Sequence, residues 1–375
     1  MRAYLDHAST SPLRPESREA LIRWLGATGD PGRIHAEGLT ARVAVEEARA
    51  QVAELCGARP REVVFTSGAT EAIAAACWGG AARGRHQVVP AIEHSAVRLA
   101  AARHGDVSSV PVDSRGRVGV EDLLGAVQDG TGLVHLQWGN HEVGTTQPVA
   151  DAVAACRERG VLVHVDAAQA LGHVPLRFRD LGADLMSLSA HKFGGPPGVG
   201  ALLVRQGLRL PPLLVGGDQE RARRAGLENV PGVAGFGAAC AAVAVEAEAA
   251  EQRRLTGRIL AALTDTPGLD GLRVYGDPDE RLPHIVCLGV EGIEPQAVLL
   301  GLDRAGIAAH SGSACSSESL EPSPVLEAMG VDAHHSLRLS VGWSTSDGDI
   351  DRLLEALPRV LTELRSVAAA VRRSR

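Results

Sequence analysis

From about Glu62 to Val204, short apolar runs of strand length alternate with stretches whose apolar residues recur at helical spacing. Glu62-Val63-Val64-Phe65-Thr66 reads as a strand, Ser67 to Glu71 as a turn, and Ala72 to Trp78 as a helix. Gly160 to Val165 reads as a buried strand that delivers Asp166 at its end. Asp184 to Leu188 and Val199 to Val204 are two further apolar runs, separated by a glycine- and proline-rich turn. Upstream, Val45, Ala48, Val52 and Leu55 mark one face of a helix that stops at Gly57. Strand–helix alternation of this kind predicts an α/β fold, a mostly parallel sheet between helices. Downstream, one long helix is expected from about Val233 to Leu263, leading into a smaller α+β region. A chain of 375 residues is long enough for two domains. The expected division is a large domain over 15–250 and a small one built from 1–14 with 251–375, the N-terminal segment packing with the second domain.

Composition refines this picture at a few points. Hydrophobic residues make up 45% of the chain but aromatics only 3%, so the core must be built of valine, leucine and alanine. The net charge of −7 offers no bulk attraction to nucleic acid or to an acidic membrane, and neither is expected as a partner. The longest apolar run, Gly232 to Val245, falls short of a membrane span. Arg2, Asp6 and His7 interrupt the start of the chain, so a secretory leader is not expected and a cytoplasmic location is. The six cysteines, at 56, 77, 156, 240, 287 and 315, form no Cys-x-x-Cys pair, which argues against a zinc or dithiol site. Cys77, Cys156, Cys240 and Cys287 lie in apolar stretches and read as inert core residues.

The candidate chemistry centres on Ser189-Ala190-His191-Lys192-Phe193-Gly194-Gly195-Pro196. Here a strand hands one lysine to a rigid turn. An amine held at such a point can form a Schiff base with a carbonyl cofactor, of which pyridoxal phosphate is the usual one. A lysine beside a loop is more often a solvated charge, so the neighbours decide. Asp166 stands at the carboxyl end of a strand, where open α/β sheets place ligands, and could pair with a pyridine nitrogen; alternatively it caps the helix that follows. Gln169 lies three residues on. Ser67 to Glu71, with Ala69 and Thr70, forms a glycine turn into a helix start, whose free N–H groups suit a phosphate ester. His94 could stack on a flat ring or move protons, or simply be a packed histidine. Ser311 to Ser317 is a run of small residues carrying Cys315, a thiol placed to reach and attack. Arg338 interrupts the apolar run Ser336 to Ser340 and needs an anion, either a substrate carboxylate or an acid of the chain itself.

Taken together, these motifs resemble the cysteine desulfurases of the nitrogen-fixation and housekeeping iron–sulfur type, within the class V aminotransferase superfamily. The resemblance runs from Tyr4-Leu5-Asp6-His7-Ala8-Ser9-Thr10 to about Ile350. It implies a pyridoxal-phosphate fold of type I and a homodimer. It also implies that Lys192 holds the cofactor, Asp166 pairs with its ring nitrogen, His94 stacks on it and Gln169 meets its ring hydroxyl. Thr70, beside Ala69, with Ser189 and His191 would contact the phosphate. Arg338 and Asn140 would bind the substrate, L-cysteine. Cys315 would take the sulfur and pass it to an acceptor protein. Three positions depart from the family pattern. Asn140-His141-Glu142 puts His141 where the family has an asparagine on the ring oxygen, a bond an imidazole N–H can also donate. Arg224-Ala225-Gly226-Leu227 ends in a residue without the hydroxyl that serves the neighbouring subunit's phosphate. Asp30-Pro31-Gly32 replaces the usual Asn-Pro-Ser. Three other activities share much of this pattern: a selenocysteine or other C–S lyase, an aminotransferase, and a weakly catalytic platform in a sulfur-transfer complex.

Overall fold

The computed structural model describes residues 2–269, 271–312 and 322–373. Among them the strands form three sheets. The largest has seven strands: β2 (Val63–Thr66), β3 (His86–Pro90), β4 (Asp106–Val110), β5 (Thr131–Gln137), β6 (Val163–Asp166), β7 (Leu185–Ser189) and β8 (Gly200–Val204). Their spatial order is β2-β8-β7-β6-β5-β3-β4. All neighbours from β7 to β4 run parallel, and β8 runs antiparallel to both β7 and β2. The expected mostly parallel sheet is therefore present. Its inner strands are buried almost throughout, as their valine- and leucine-rich sequences require, with His135, His164 and Ser187 buried among the apolar residues.

Helices α1 (Pro15–Leu25), α2 (Ala36–Leu55), α3 (Ala69–Ala81) and α4 (Ser95–His104) surround this sheet together with Val230–Ala242. A large apolar cluster joins Val45, Val52, Phe65, Leu136, Val165, Phe178, Phe193 and Phe236. The second cluster holds Leu255, Ile259, Leu288, Val298, Leu339 and Leu357. Around it lie β9 (Leu272–Tyr275), β10 (Ile285–Val290) and β12 (Ser336–Ser340), an antiparallel sheet of order β12-β10-β9. The N-terminal β1 (Ala3–Tyr4) pairs in parallel with β11 (Ile307–Ala308), and Ala3 and Leu5 are buried in this second cluster. The chain start is thus tied to its C-terminal part, and residues 8–10 meet Gln169, His191 and Lys192 beyond the carboxyl ends of β6 and β7.

One expected element is two. The helix predicted over about 233–263 is Val230–Ala242 followed by Val245–Asp265, bent by 76°. Val243 between them is extended, at φ −76° and ψ 126°. The burial pattern explains the break. Val230–Ala242 lies against α1 and α2, where Gly237 leaves no room for a Cβ beside Ala48. Val245–Asp265 instead buries Leu255 and Ile259 in the second cluster. A single straight rod could not serve both. No single described helix is long and apolar enough to cross a membrane.

Candidate active site

The carboxyl ends of β5, β6 and β7 open on a cavity of about 500 Å³. Its walls include Ala69, Thr70, His94, His141, Asp166, Gln169, Ser189, His191, Lys192 and Arg338. These positions come from well-separated parts of the sequence, and the fold brings all of them to one space.

Lys192 enters through a one-turn 3₁₀ segment, Ala190–Lys192, directly after β7. Gly194, at φ 104°, then turns the chain away; a side chain there would also strike Arg14. The Lys192 Nζ donates to Ala8 O at 2.7 Å and to Ser9 O at 2.9 Å. Burial, reinforced by the Arg338 charge, lowers its pKa from 10.5 to about 8. Lys192 is moreover the only lysine in the chain; all the rest of the 38 lysines and arginines are arginine. That count alone singles the residue out, and it needs no motif to be seen.

Asp166 ends β6 with its Oδ1 accepting from Ser187 Oγ at 2.8 Å and from Ala168 N at 3.1 Å. The helix expected to follow Asp166 is absent: a run of turns takes its place, which the bond from Ala168 N begins, and Asp166 lines the cavity. At the end of β2, Gly68, with φ 152°, leads straight into α3, so Ala69 and Thr70 lie in a helical first turn rather than in a turn before it. Ser67, Gly68, Ala69 and Thr70 all line the cavity. Glu71 fixes this corner: it accepts from Ser67 N at 2.8 Å and pairs with Arg224 at 2.8 Å.

His94 caps α4, its Nδ1 accepting from Ala96 N at 3.1 Å. The neutral ring therefore carries its proton on Nε2. Burial lowers its pKa. His141 meets it edge to face, with centroids 5.1 Å apart. His141 is driven well below the usual imidazole range by burial, and its Nδ1 has no hydrogen-bond partner. His191 lies within 3.1 Å of Thr10 Oγ1 through Nδ1, and burial lowers its pKa to about 4.

Arg338 sits inside β12 and is buried. Its Nη1 donates to His141 O at 2.9 Å, and its Nη2 to Asp6 Oδ1 at 2.9 Å and Ser9 Oγ at 2.6 Å. Its Nε, also buried, has no partner. The ion pair with an acid of the chain exists, and a donor remains for a ligand.

Asn140 departs from the expectation. It is buried but does not line the cavity; its Nδ2 donates to Ile92 O at 3.2 Å, and its Oδ1 accepts from Glu142 N and Val143 N. Its amide is spent on holding the turn that presents His141. Sequence reasoning also passed over His310, which lines the cavity and whose Nδ1 accepts from Gly312 N at 2.9 Å. Cys315 lies outside the described residues. Cys56, Cys77, Cys156, Cys240 and Cys287 are all buried, and burial raises each thiol, Cys56 and Cys77 to about 12. None of these five is a ready nucleophile.

Residues 3–353 match the family model described as aminotransferase class-V. The chain belongs to that family. It is 39% identical to the cysteine desulfurase IscS of Methanosarcina thermophila, over 97% of this chain and 93% of that protein. It is 40% identical to cysteine desulfurase IscS 1 of Archaeoglobus fulgidus, over 99% of this chain and all of the relative. Among solved structures, a NifS-like protein superposes with a TM-score of 0.89 at 32% identity, covering 97% of this chain and 100% of the other. SspA in complex with cysteine superposes with a TM-score of 0.80 at 28% identity, covering 92% and 100%. The family depends on pyridoxal 5'-phosphate. The donor set fits that group: one amine, one carboxylate, a helix start on the third side, and buried His141 Nδ1 and Arg338 Nε without protein partners.

Proposed function

We propose that the chain is a pyridoxal-phosphate-dependent cysteine desulfurase that takes sulfur from L-cysteine and releases L-alanine. One observation carries the reading: the chain's only lysine shares a cavity with a strand-end carboxylate and with an arginine whose buried Nε lacks an acceptor. Bound pyridoxal phosphate supplies an electron sink for charge developing at the substrate α-carbon. Lys192 holds that group and moves the α-proton. Asp166 keeps the pyridine nitrogen cationic, and His94 covers the ring. Thr70, Ser189 and His191 take the phosphate, and Gln169 and His141 the ring oxygen. Arg338, on the cavity wall, binds the substrate carboxylate.

Cys315 is the sulfur acceptor. Its thiolate attacks the substrate sulfur, the S–S bond of a persulfide forms, and the C–S electron pair stays with the carbon skeleton, which is protonated and leaves as alanine. The persulfide then passes to an acceptor protein in the cytoplasm. The enzyme works as a homodimer; Leu214, Val215 and Leu227, 41%, 79% and 63% exposed, offer the apolar surface for a second copy.

The test is Cys315→Ser. The variant should keep the cofactor and its first spectral change on adding cysteine, while sulfide release falls to background. The parent, treated with cysteine, should gain one sulfur atom on the peptide containing Cys315. Full sulfide release by Cys315→Ser would overturn the reading in favour of a lyase that needs no protein acceptor.

A further inference from the structure

Behind the cavity, two histidines that the mechanism above does not use lie face to face. His173 and His284 stack with centroids 3.6 Å apart and an interplanar angle of 14°, and both are buried. One nitrogen of each ring meets the reactive centre. His173 Nε2 lies 3.3 Å from Lys192 O, and its Nδ1 3.0 Å from Gln252 Oε1 on the helix Val245–Asp265. His284 Nε2 lies 3.3 Å from Gln169 Oε1. Gln169 Nε2 donates to Ala8 O at 2.8 Å, the same oxygen that receives the Lys192 amine at 2.7 Å.

The proton positions follow from the acceptors. Lys192 O accepts only, so His173 Nε2 must carry hydrogen. Ala8 O accepts only, so Gln169 turns its NH₂ to it and its Oε1 to His284, whose Nε2 must then carry hydrogen too. Two cationic rings 3.6 Å apart in a buried site would repel strongly, and burial lowers the pKa of each below the usual imidazole value, so both are neutral and each has one N–H. The pair's two N–H groups are thus both spent on the active site. A neutral His173 leaves Nδ1 as an acceptor, which Gln252 satisfies by presenting its NH₂; that NH₂ otherwise lacks a partner. The bonds close a circuit: from the Lys192 carbonyl through His173, the stack, His284, Gln169 and Ala8 O to the Lys192 amine.

We propose that the His173–His284 stack is a positioning device that fixes both ends of Lys192 and the amide of Gln169, and ties them to Gln252. The proposal rests on the reading of Lys192 as the cofactor-holding amine. Two apolar rings would fill the same space without burying polar atoms, so packing alone does not account for the three ring nitrogens that find partners; the fourth, His284 Nδ1, is buried without one. The charged groups that face Lys192 are Arg338, Asp6 and Asp166; the titratable and charged groups near the histidine pair are Glu248, Arg14, His7, Arg338 and Lys192 itself. None of their side chains bonds to either ring.

The variants His173→Phe and His284→Phe keep a stack and remove one N–H each. Because Lys192 is the only lysine, an amine-reactive label read by peptide mass reports its titration in the cofactor-free chain. Freed of its clamp, the amine gains access to water, and its midpoint should rise by about half a pH unit or more. In the holoenzyme the midpoint of the visible-absorbance titration should move, and kcat should fall about fivefold or more with KM for cysteine within about twofold. His173→Gln and His284→Gln, which restore an N–H donor, should recover most of each effect. Folded phenylalanine variants with parental midpoints and kcat would overturn the proposal. Nitrogen NMR tests it on the parent protein, with no substitution at all. Both rings should be neutral with hydrogen on Nε2 near pH 7, and either ring found cationic or protonated on Nδ1 would overturn it. The underlying reading is tested separately, by whether Lys192→Ala still retains its cofactor absorbance.

Discussion

Buried Arg338 and partly buried Asp6 form an ion pair, Nη2 to Oδ1 at 2.9 Å, with Arg338 on the wall of the cavity that also holds Lys192. Asp6 reaches this place because β1 pairs with β11 and Asp6 itself bridges Ser340 at the end of β12. The pair holds the guanidinium in one orientation, with Nε directed away from every protein acceptor.

From this follows the substrate prediction. Arg338→Leu should raise KM for cysteine about 30-fold, the equivalent of about 2 kcal/mol for a lost charge-assisted contact. Retention of the cofactor should be unaffected. Steady-state kinetics beside an absorbance spectrum checks both; an unchanged KM would remove Arg338 from the substrate site.

The amine of Lys192 should titrate near pH 8 in the cofactor-free protein, against 10.5 for an ordinary lysine. Burial is the main cause and the Arg338 charge the second, so Arg338→Leu should also move the midpoint upward. The measurement is labelling of the Lys192 peptide as a function of pH. A midpoint at the ordinary lysine value would mean that the amine is solvated.

His141→Ala should shift the visible band of the bound cofactor, since the ring that loses its place has an unpartnered Nδ1 and lines the cavity wall. His141→Asn should restore the parental band. Leu227→Thr should slow cofactor loss by a factor consistent with about 0.5–1.5 kcal/mol for one added hydrogen bond. Identical spectra and identical loss rates would show that neither residue touches the cofactor.

Acid stability is set by buried neutral histidines. Burial depresses His7 and His135 to about 3, while the unfolded chain titrates them near 6.5. Below pH 6.5 the unfolded state takes up protons that the folded state refuses, so their stabilising contribution is full above pH 6.5 and falls as the pH drops toward 3. At about pH 5 each should cost about 2 kcal/mol. His141, His164, His173 and His284 shift in the same direction. Denaturant unfolding between about pH 7 and pH 5 should lose stability with a slope of several protons, and His135→Gln should flatten it.

How far the sequence reveals this molecule depends on whether a signal is local. Lys192 and Asp166 could be read because each ends an apolar run, and the end of a parallel strand is a place with known chemistry. Arg338 stood out as a charge inside a strand. The break at Val243 carried no glycine or proline, because its cause is the demand of two separate cores. Asn140 looked like a ligand-binding amide, yet its side chain bonds two backbone N–H groups of its own turn and the carbonyl of Ile92. Ala8 and Ser9 act through carbonyl oxygens, which leave no trace in residue type. The stack of His173 on His284 joins two distant segments whose meeting only the fold determines.

The confinement of lysine to one buried position also changes how the folded molecule meets reactive carbonyl compounds in its surroundings. Arginine, which stands wherever lysine otherwise might, does not condense readily with simple aldehydes under mild conditions. Apart from the chain terminus, the exterior offers them no amine. An aldehyde is therefore captured only after passing the cavity mouth, where shape and charge select it before any bond forms. The lysine-free surface works as a chemical filter, directing the loading of this protein to a single address.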